Sequence, residues 1–245
     1  IIKNAYHHNR IKKVLAAATV LVVNSSYTKI LLSKISENFQ NIQVIYPGVK
    51  STKNIMEQTI NLNNGHPTLL TLARLEKRKG HSLILKSIFN LKKIYPNIQY
   101  IIAGEGDQLN NIKNEIKNFN LDNNVKLVGT INESQKKFIF SKTDIMVMPT
   151  LDQSHANSIE GFGIAYIEAA CYGKASIGGV FGGEADAIVE GKTGFLCDGN
   201  DLNVLYETFL KTLEDENYKR LGSNALEFSK NFSWEKIVKK YIALI

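Results

Sequence analysis

The sequence predicts an α/β fold, a parallel sheet wound on both faces by helices. Three observations carry that expectation. From Pro67 onward, short apolar runs alternate with amphipathic stretches of helical period. The apolar runs are continuous rather than alternating with polar residues, which fits strands buried on both faces. Many of the runs close on Gly or Pro before the next helical pattern begins.

Residues 1–49 come first. "IKKVLAAATVLVVNSSYTKILLSKI" reads as a helix, a short strand over 20–23 and a second helix capped near Ser25. "IQVIYPGV" (42–49) is a strand halted by Pro47-Gly48. This is too little for a domain and reads as the end of a preceding, truncated α/β domain. Residues 50–66 have the polar composition of a linker. The main domain runs over 67–230. Its predicted strands are "TLLTLAR" (68–74), "IQYIIAGEG" with its turn (98–106), "VKLVG" (125–129), "DIMVMPT" (144–150) and "ASIGG" (175–179). Between them lie predicted helices over 80–96, 107–121 and 132–143, the last with Asn132 as a candidate cap, and one over "GIAYIEAACYG" ending at Gly173. Two helical stretches close the chain. The second, 231–245, holds Trp234 as a packing anchor and is expected to pack back toward the N-terminal segment.

Composition limits the function classes. The 245 residues are 44% hydrophobic and 22% charged, ordinary for a globular protein. No apolar run is long enough to span a membrane, and the opening "IIKNAYHHNRIKKVL" carries no targeting pattern, so it is expected to continue a longer protein. Cys171 and Cys197 lack metal-ligand spacing and read as free thiols of a cytoplasmic protein. The net charge of +7 is uneven: residues 1–50 hold seven Lys/Arg against one acid, 51–150 fourteen against eight, and the remainder nine against fourteen. A basic surface attracts phosphates, anionic lipid or nucleic acid. A drift toward Asn and Ile, and Lys with them, gives the same excess. Aromatic residues do not interleave with Lys/Arg, so nucleic acid is not an expected partner.

In parallel sheets, ligands bind beyond the carboxyl ends of the strands. The turns there contain Arg74, Gly104-Glu105-Gly106, Gly129-Thr130, Pro149-Thr150 and Gly178-Gly179. In "ARLEKRKG" (73–80), Arg74 and Lys79 suit a diphosphate: a guanidinium binds two oxygens at once and an ammonium adds a point charge. The alternative is that Lys77, Arg78 and Lys79 form a solvated basic face. "AGEGDQ" lacks the third glycine of a dinucleotide fingerprint and is a weak signal. "EGFGIAYIEAACYG" (160–173) places Glu160 before a Gly-Phe-Gly turn and Glu168 inside an apolar run. With a helix starting near Gly163, its free amides face the same edge. Eight residues at helical rise span about 12 Å, the scale of a nucleotide sugar. Carboxylates accept well from sugar hydroxyls, although a capping acid and a surface acid would give the same pattern.

These segments resemble, in order, the donor half of retaining glycosyltransferases of the two-Rossmann-domain (GT-B) type, the "glycosyl transferases group 1" or family four class. The series is "VNSSYTKILL", "VIYPGV", "ARLEKRKG", "IIAGEGDQ", "VKLVGTI", "DIMVMPT", the acid-x7-acid segment "EGFGIAYIE", "GGEADAIVEGKTGFL" and "FSWEKIVKKYIALI", covering nearly the whole chain. The resemblance implies a Rossmann-like doubly wound sheet, with residues 1–46 the end of the acceptor-binding domain. It implies that Arg74 and Lys79 hold the donor's diphosphate and that Glu160 contacts the transferred sugar. The amides of Phe162, Gly163 and Ile164 would touch sugar and phosphate, Glu168 would hold the ribose hydroxyls, the loop Gly129-Thr130-Ile131 would lie by the base, and Gly104 would also bind the donor. No metal or other cofactor is implied, and no Asp-x-Asp triplet is present. The implied partners are a nucleotide-sugar donor and a carbohydrate or lipid-linked acceptor. The basic N-terminal segment adds contact with the inner face of an anionic membrane.

Two departures stand out: Ala175 where the family often has proline, and Ala185-Asp186 where it often has Pro-Glu. His155 lies on the ligand edge, within reach of a sugar or simply solvated. The alternatives are a nucleotide-sugar epimerase on the same scaffold and a nucleotide-sugar binder without turnover. Glu160→Ala is expected to leave folding intact and strongly reduce transfer.

Overall fold

The chain opens with α1 (Ala5–Ala17), β1 (Leu21–Val23), α2 (Ser26–Ser33) and β2 (Ile42–Val44). Strands β1 and β2 pair in parallel as a small separate sheet. Ser25 caps α2, its side chain accepting from the Thr28 amide at 3.0 Å. The computed structural model describes residues 5–35, 41–50, 60–62, 64–152 and 158–244, with side chains from Arg10 onward. Most of the expected linker, His155 and the side chains of His7 and His8 lie outside the described residues.

The main body follows as β3 (Thr68–Leu72), α3 (His81–Leu91), β4 (Gln99–Ala103), α4 (Leu109–Asn118), β5 (Val125–Gly129), α5 (Glu133–Lys142), β6 (Ile145–Met148), α6 (Ile164–Cys171), β7 (Ala175–Gly179), α7 (Glu184–Ala187), β8 (Gly194–Cys197), α8 (Leu202–Leu213), α9 (Asn217–Ser229) and α10 (Trp234–Ile242). Strands β3 to β8 form one sheet in the order β5-β4-β3-β6-β7-β8, with every pair parallel. This is the Rossmann-like, doubly wound order. It runs outward from β3 through β4 to β5, then reverses to β6 on the other side of β3.

The continuous apolar strands are explained by period-two burial on both faces. Leu69, Tyr100, Ile102, Ile145 and Val147 face one core, which is covered by α3, α4, α8 and α9. Leu70, Ile101, Ala103, Met146 and Met148 face the other, covered by α5 and α6. Asn132 caps α5, accepting from the Gln135 amide at 2.9 Å. The sequence reading of two closing helices is corrected to three, because Asp215 and Glu216 adopt positive φ and break the run between α8 and α9. Helix α10 lies beside the first segment. Val49 bridges to Ser233, and the Trp234 ring covers Gly48 while remaining half exposed (51%). Both cysteines are free, Cys197 buried and Cys171 half-buried.

All six carboxyl ends lie on one edge. The reversal opens a crevice there between β3 and β6, and the chain segments leaving those two strands line it.

Candidate functional site

After β3, the chain makes a 3-10 turn over Lys77–Lys79 and enters α3 through Gly80 at φ 75°. A Cβ on Gly80 would stand 2.5 Å from the Pro149 carbonyl oxygen, so only glycine lets this turn press against the end of β6. The Leu151 amide then donates to the Arg78 carbonyl at 2.8 Å. Seating the turn this way carries Arg78 and Lys79 inward, with only 11% and 8% of their side chains exposed. The solvated basic face that the sequence allowed therefore shrinks to Lys77.

Glu160 arrives from the opposite wall. Its backbone bridges to Gly182 in the turn after β7, and its carbonyl accepts from the Gly183 amide at 2.9 Å. Its carboxylate accepts from Lys79 Nζ at 2.5 Å and from Arg78 Nη1 at 2.9 Å. Arg78 Nε also donates to Glu76 at 3.1 Å, and Glu76 pairs with Arg74 at 2.7 Å. Arg74 and Glu160 therefore lie on the same side of the sheet, joined by a chain of ion pairs. Arg74 itself is 76% exposed and does not touch Glu160. Sequence reasoning missed Arg78 and Glu76. The pattern Lys-Arg-Lys-Gly does not reveal which of three adjacent cations turns inward.

The charges do not balance. Burial would raise the Glu160 carboxyl, but Lys79 and Arg78 outweigh it and hold Glu160 below the ordinary range. Burial lowers the Lys79 ammonium, and the Glu160 carboxylate recovers only part of that. Two buried cations share one buried carboxylate, while Glu76 is divided between Arg78 and Arg74. The excess is positive and suits an anion.

Helix α6 starts beside this cluster. Gly163 precedes it at φ 87°, and no side chain caps it. A Cβ there would stand 2.5 Å from the Tyr166 ring, which is buried and anchored by its hydroxyl to the Met148 carbonyl at 2.5 Å. Ile164 is exposed (44%), and the buried Phe162 ring stacks on Tyr46 at 5.3 Å between centroids. Because the helix begins at Ile164, Glu160 precedes it in a loop. The 12 Å helical spacing expected between Glu160 and Glu168 therefore does not apply. Glu168 pairs with Lys136 of α5, 2.7 Å away. Burial would lower the Lys136 ammonium, but Glu133 and Glu168 together raise it. Gly104 and Gly129 lie at the ends of β4 and β5, the Gly104 amide donating to the Gly129 carbonyl at 2.8 Å, and Thr130 is exposed. Asp186, at the position of the Pro-Glu departure, accepts from the Ser26 amide at 2.5 Å and ties α2 to α7. Among the described residues, no group of three or more His, Cys, Asp or Glu has the geometry of a metal site.

Residues 52–228 match the family model described as "Glycosyl transferases group 1". The chain belongs to that family. This group 1 glycosyltransferase chain is 28% identical over 213 residues to the uncharacterized glycosyltransferase MJ1178 of Methanocaldococcus jannaschii, covering 86% of this chain and 55% of that protein. It is 26% identical over 139 residues to the GDP-mannose-dependent alpha-(1-6)-phosphatidylinositol monomannoside mannosyltransferase of Mycolicibacterium smegmatis, covering 57% and 36%. The chain thus spans about half, or less, of the length of these curated relatives. In fold it is similar to sucrose-phosphate synthase from Thermosynechococcus elongatus (TM-score 0.82, 22% identity, 98% of this chain and 61% of that one). It is also similar to Anabaena Alr3699/HepE in complex with UDP and glucose (TM-score 0.78, 17% identity, 99% and 69%). The Rossmann-like α/β architecture is that of GT-B glycosyltransferases.

Proposed function

We propose that the whole protein moves a sugar from a nucleoside-diphosphate sugar to a carbohydrate or lipid-linked acceptor with retention at the anomeric carbon. The observation that carries this reading is the surplus cation of the Arg78–Lys79–Glu160 cluster, set at the reversal of the sheet beside the uncapped start of α6. A diphosphate there would meet Lys79, Arg78 and, from the rim, Arg74, with the amides of Gly163 and Ile164 adding partial positive charge. As phosphate oxygens take over the cations, Glu160 is released to accept from hydroxyls of the transferred sugar.

In the transfer step, the bond from the anomeric carbon to the phosphate oxygen breaks. The acceptor oxygen bonds to that carbon on the same face, and the acceptor's proton passes to the departing phosphate. The cations stabilise the charge growing on the leaving oxygens, a task that gains strength in a water-poor crevice. No metal or other cofactor is assigned to the step. Glu168, with Lys136, would hold the ribose; Gly129 and Thr130 would lie by the base, and Gly104 would also bind the donor.

A similar protein is described as GDP-mannose-dependent and a similar fold holds UDP and glucose, so donors of both bases belong in the test. A thermal-shift screen of UDP-, GDP- and ADP-sugars is expected to find one that raises the melting temperature. No shift with any of them overturns the reading. With the full-length enzyme, an α-linked donor is expected to give an α-linked product by NMR, and a β-linked product removes retention. Arg10, Lys12 and Lys13 are exposed on α1, and we place contact with the inner face of an anionic membrane there. Liposome flotation indifferent to acidic lipid removes that part.

A further inference from the structure

Glu184, at the start of α7, is fully buried, and its position is unusual for an acid. One carboxyl oxygen, Oε1, accepts from the Thr150 hydroxyl at the end of β6. The other, Oε2, is buried and has no partner. It lies 2.7 Å from where a Cβ on Gly182 would stand, beside the Glu160 backbone that bridges to Gly182. The Glu184 stem passes 3.8 Å from the corresponding point on Gly163. The carboxyl thus lies against the Glu160–Gly163 loop and is bonded to Thr150, just past the crevice end of β6. The site's assigned groups do not account for it.

We propose that Glu184 is a positioning residue of the donor site: it braces the Glu160–Gly163 loop against Thr150 and, through its own proton, sets how much Arg78–Lys79 charge is left for a diphosphate. Protonated, it adds no charge, and the three linked cations Arg74, Arg78 and Lys79 exceed the two carboxylates, Glu76 and Glu160, by one. Ionised, it supplies a third carboxylate that cancels the surplus. The groups that act on it are the Thr150 hydroxyl after β6, Glu160 before α6, its own backbone amide and Lys79 of the 3-10 turn. The Tyr166 hydroxyl of α6 and the Cys197 thiol of β8 lie close enough to sense its charge, and burial raises both. Burial pushes the Glu184 carboxyl up to about 7, and Glu160 adds to the rise against the Thr150 hydroxyl and Lys79. Near neutrality, then, both charge states are populated.

This inference rests on the reading of the crevice as a nucleotide-sugar site, and the two can fail separately. Calorimetry on the full chain from pH 6 to pH 8 uses UDP-glucose, GDP-mannose and ADP-glucose, whose diphosphates do not titrate in that range. The expected result is that the binding donor loses affinity about tenfold as pH rises, and that Glu184→Gln, uncharged throughout, binds equally across the range. If no donor binds at any pH, the site reading itself falls. Binding that does not depend on pH in the parent chain, or depends on it equally in Glu184→Gln, overturns the inference and leaves the site reading standing. Should the variant fail to fold, carbon-13 NMR titration of Glu184 in the parent chain decides the matter. A midpoint near pH 7 supports the inference, and one below pH 5 overturns it.

Discussion

In Glu160→Ala, the Lys79 ammonium loses a carboxylate 2.5 Å away while remaining 8% exposed. Arg78 fares better, because Glu76 stays 3.1 Å from its Nε. Removing one partner of a buried ion pair costs about 3–5 kcal/mol, since the other charge stays buried without compensation. With Arg78 still paired, we expect about 2–4 kcal/mol, concentrated on Lys79. For a chain of this size that lowers the melting temperature by roughly 5–15 °C. The structure thus revises the sequence-based expectation that this variant leaves folding intact. The assay is urea unfolding at neutral pH in low salt, with and without inorganic phosphate. Phosphate is expected to recover part of the loss, stabilising the variant more than the parent, because the vacated cations accept its oxygens. A variant whose stability lies within about 0.5 kcal/mol of the parent, as at an ordinary surface site, would refute the reasoning.

Three further outcomes follow from the same geometry. Glu184, raised by burial to about 7, contributes stability that is complete below its ordinary value of 4.5 and lost as pH rises through 7. His81, buried and lowered to about 4, works in the opposite sense, so the parent's profile is flattened. The stability of Glu184→Gln relative to the parent should therefore rise by about 2–3 kcal/mol from pH 5 to pH 8 in denaturant titrations, and a constant difference contradicts the assignment. Gly163→Ala forces a side chain to φ 87° and against the anchored Tyr166 ring, so urea unfolding should show a loss of at least about 2 kcal/mol; a neutral result means the loop is not held as described. Arg74→Ala removes an exposed side chain, so stability should change by less than about 0.5 kcal/mol. Donor affinity should fall tenfold or more, since a hydrogen bond to a charged group contributes about 1.5–3 kcal/mol, and parental affinity by calorimetry would take Arg74 out of the site.

The fold was legible where local pattern and burial agree. "VKLVG" and "ASIGG" are the strands β5 and β7 residue for residue, and Ser25 and Asn132 are the caps their side chains suggested. The strand order was not, because parallel pairing is set by crossovers that no short segment encodes. At the site, Lys79 and Glu160 could be singled out from a strand-to-helix turn and a Gly-Phe-Gly loop. Arg78 could not, because its burial depends on Gly80 passing within contact of Pro149, about seventy residues further along the chain. Glu184 was hidden for a similar reason. In "GGEADA" it reads as a first-turn acid, and only the approach of Thr150 and Gly182 reveals that water cannot reach it.

On the proposed reading, the cluster also explains how recognition of two different parts of one molecule is coupled. Without a ligand, Glu160 serves as the counter-ion that lets Arg78 and Lys79 be buried at all. A carboxylate so engaged is a poor acceptor for sugar hydroxyls, because its strongest donors are already in place. A diphosphate supplies replacement oxygens for the cations and so frees the carboxylate just where the attached sugar must lie. Nucleoside diphosphate alone would perform the first half of that exchange and leave Glu160 without new donors, while a free sugar would face a carboxylate still held by two cations. Binding of free sugar should therefore be undetectable without diphosphate and measurable with it. Free sugar that binds equally well with and without nucleoside diphosphate would mean that Glu160 is not the link between the two.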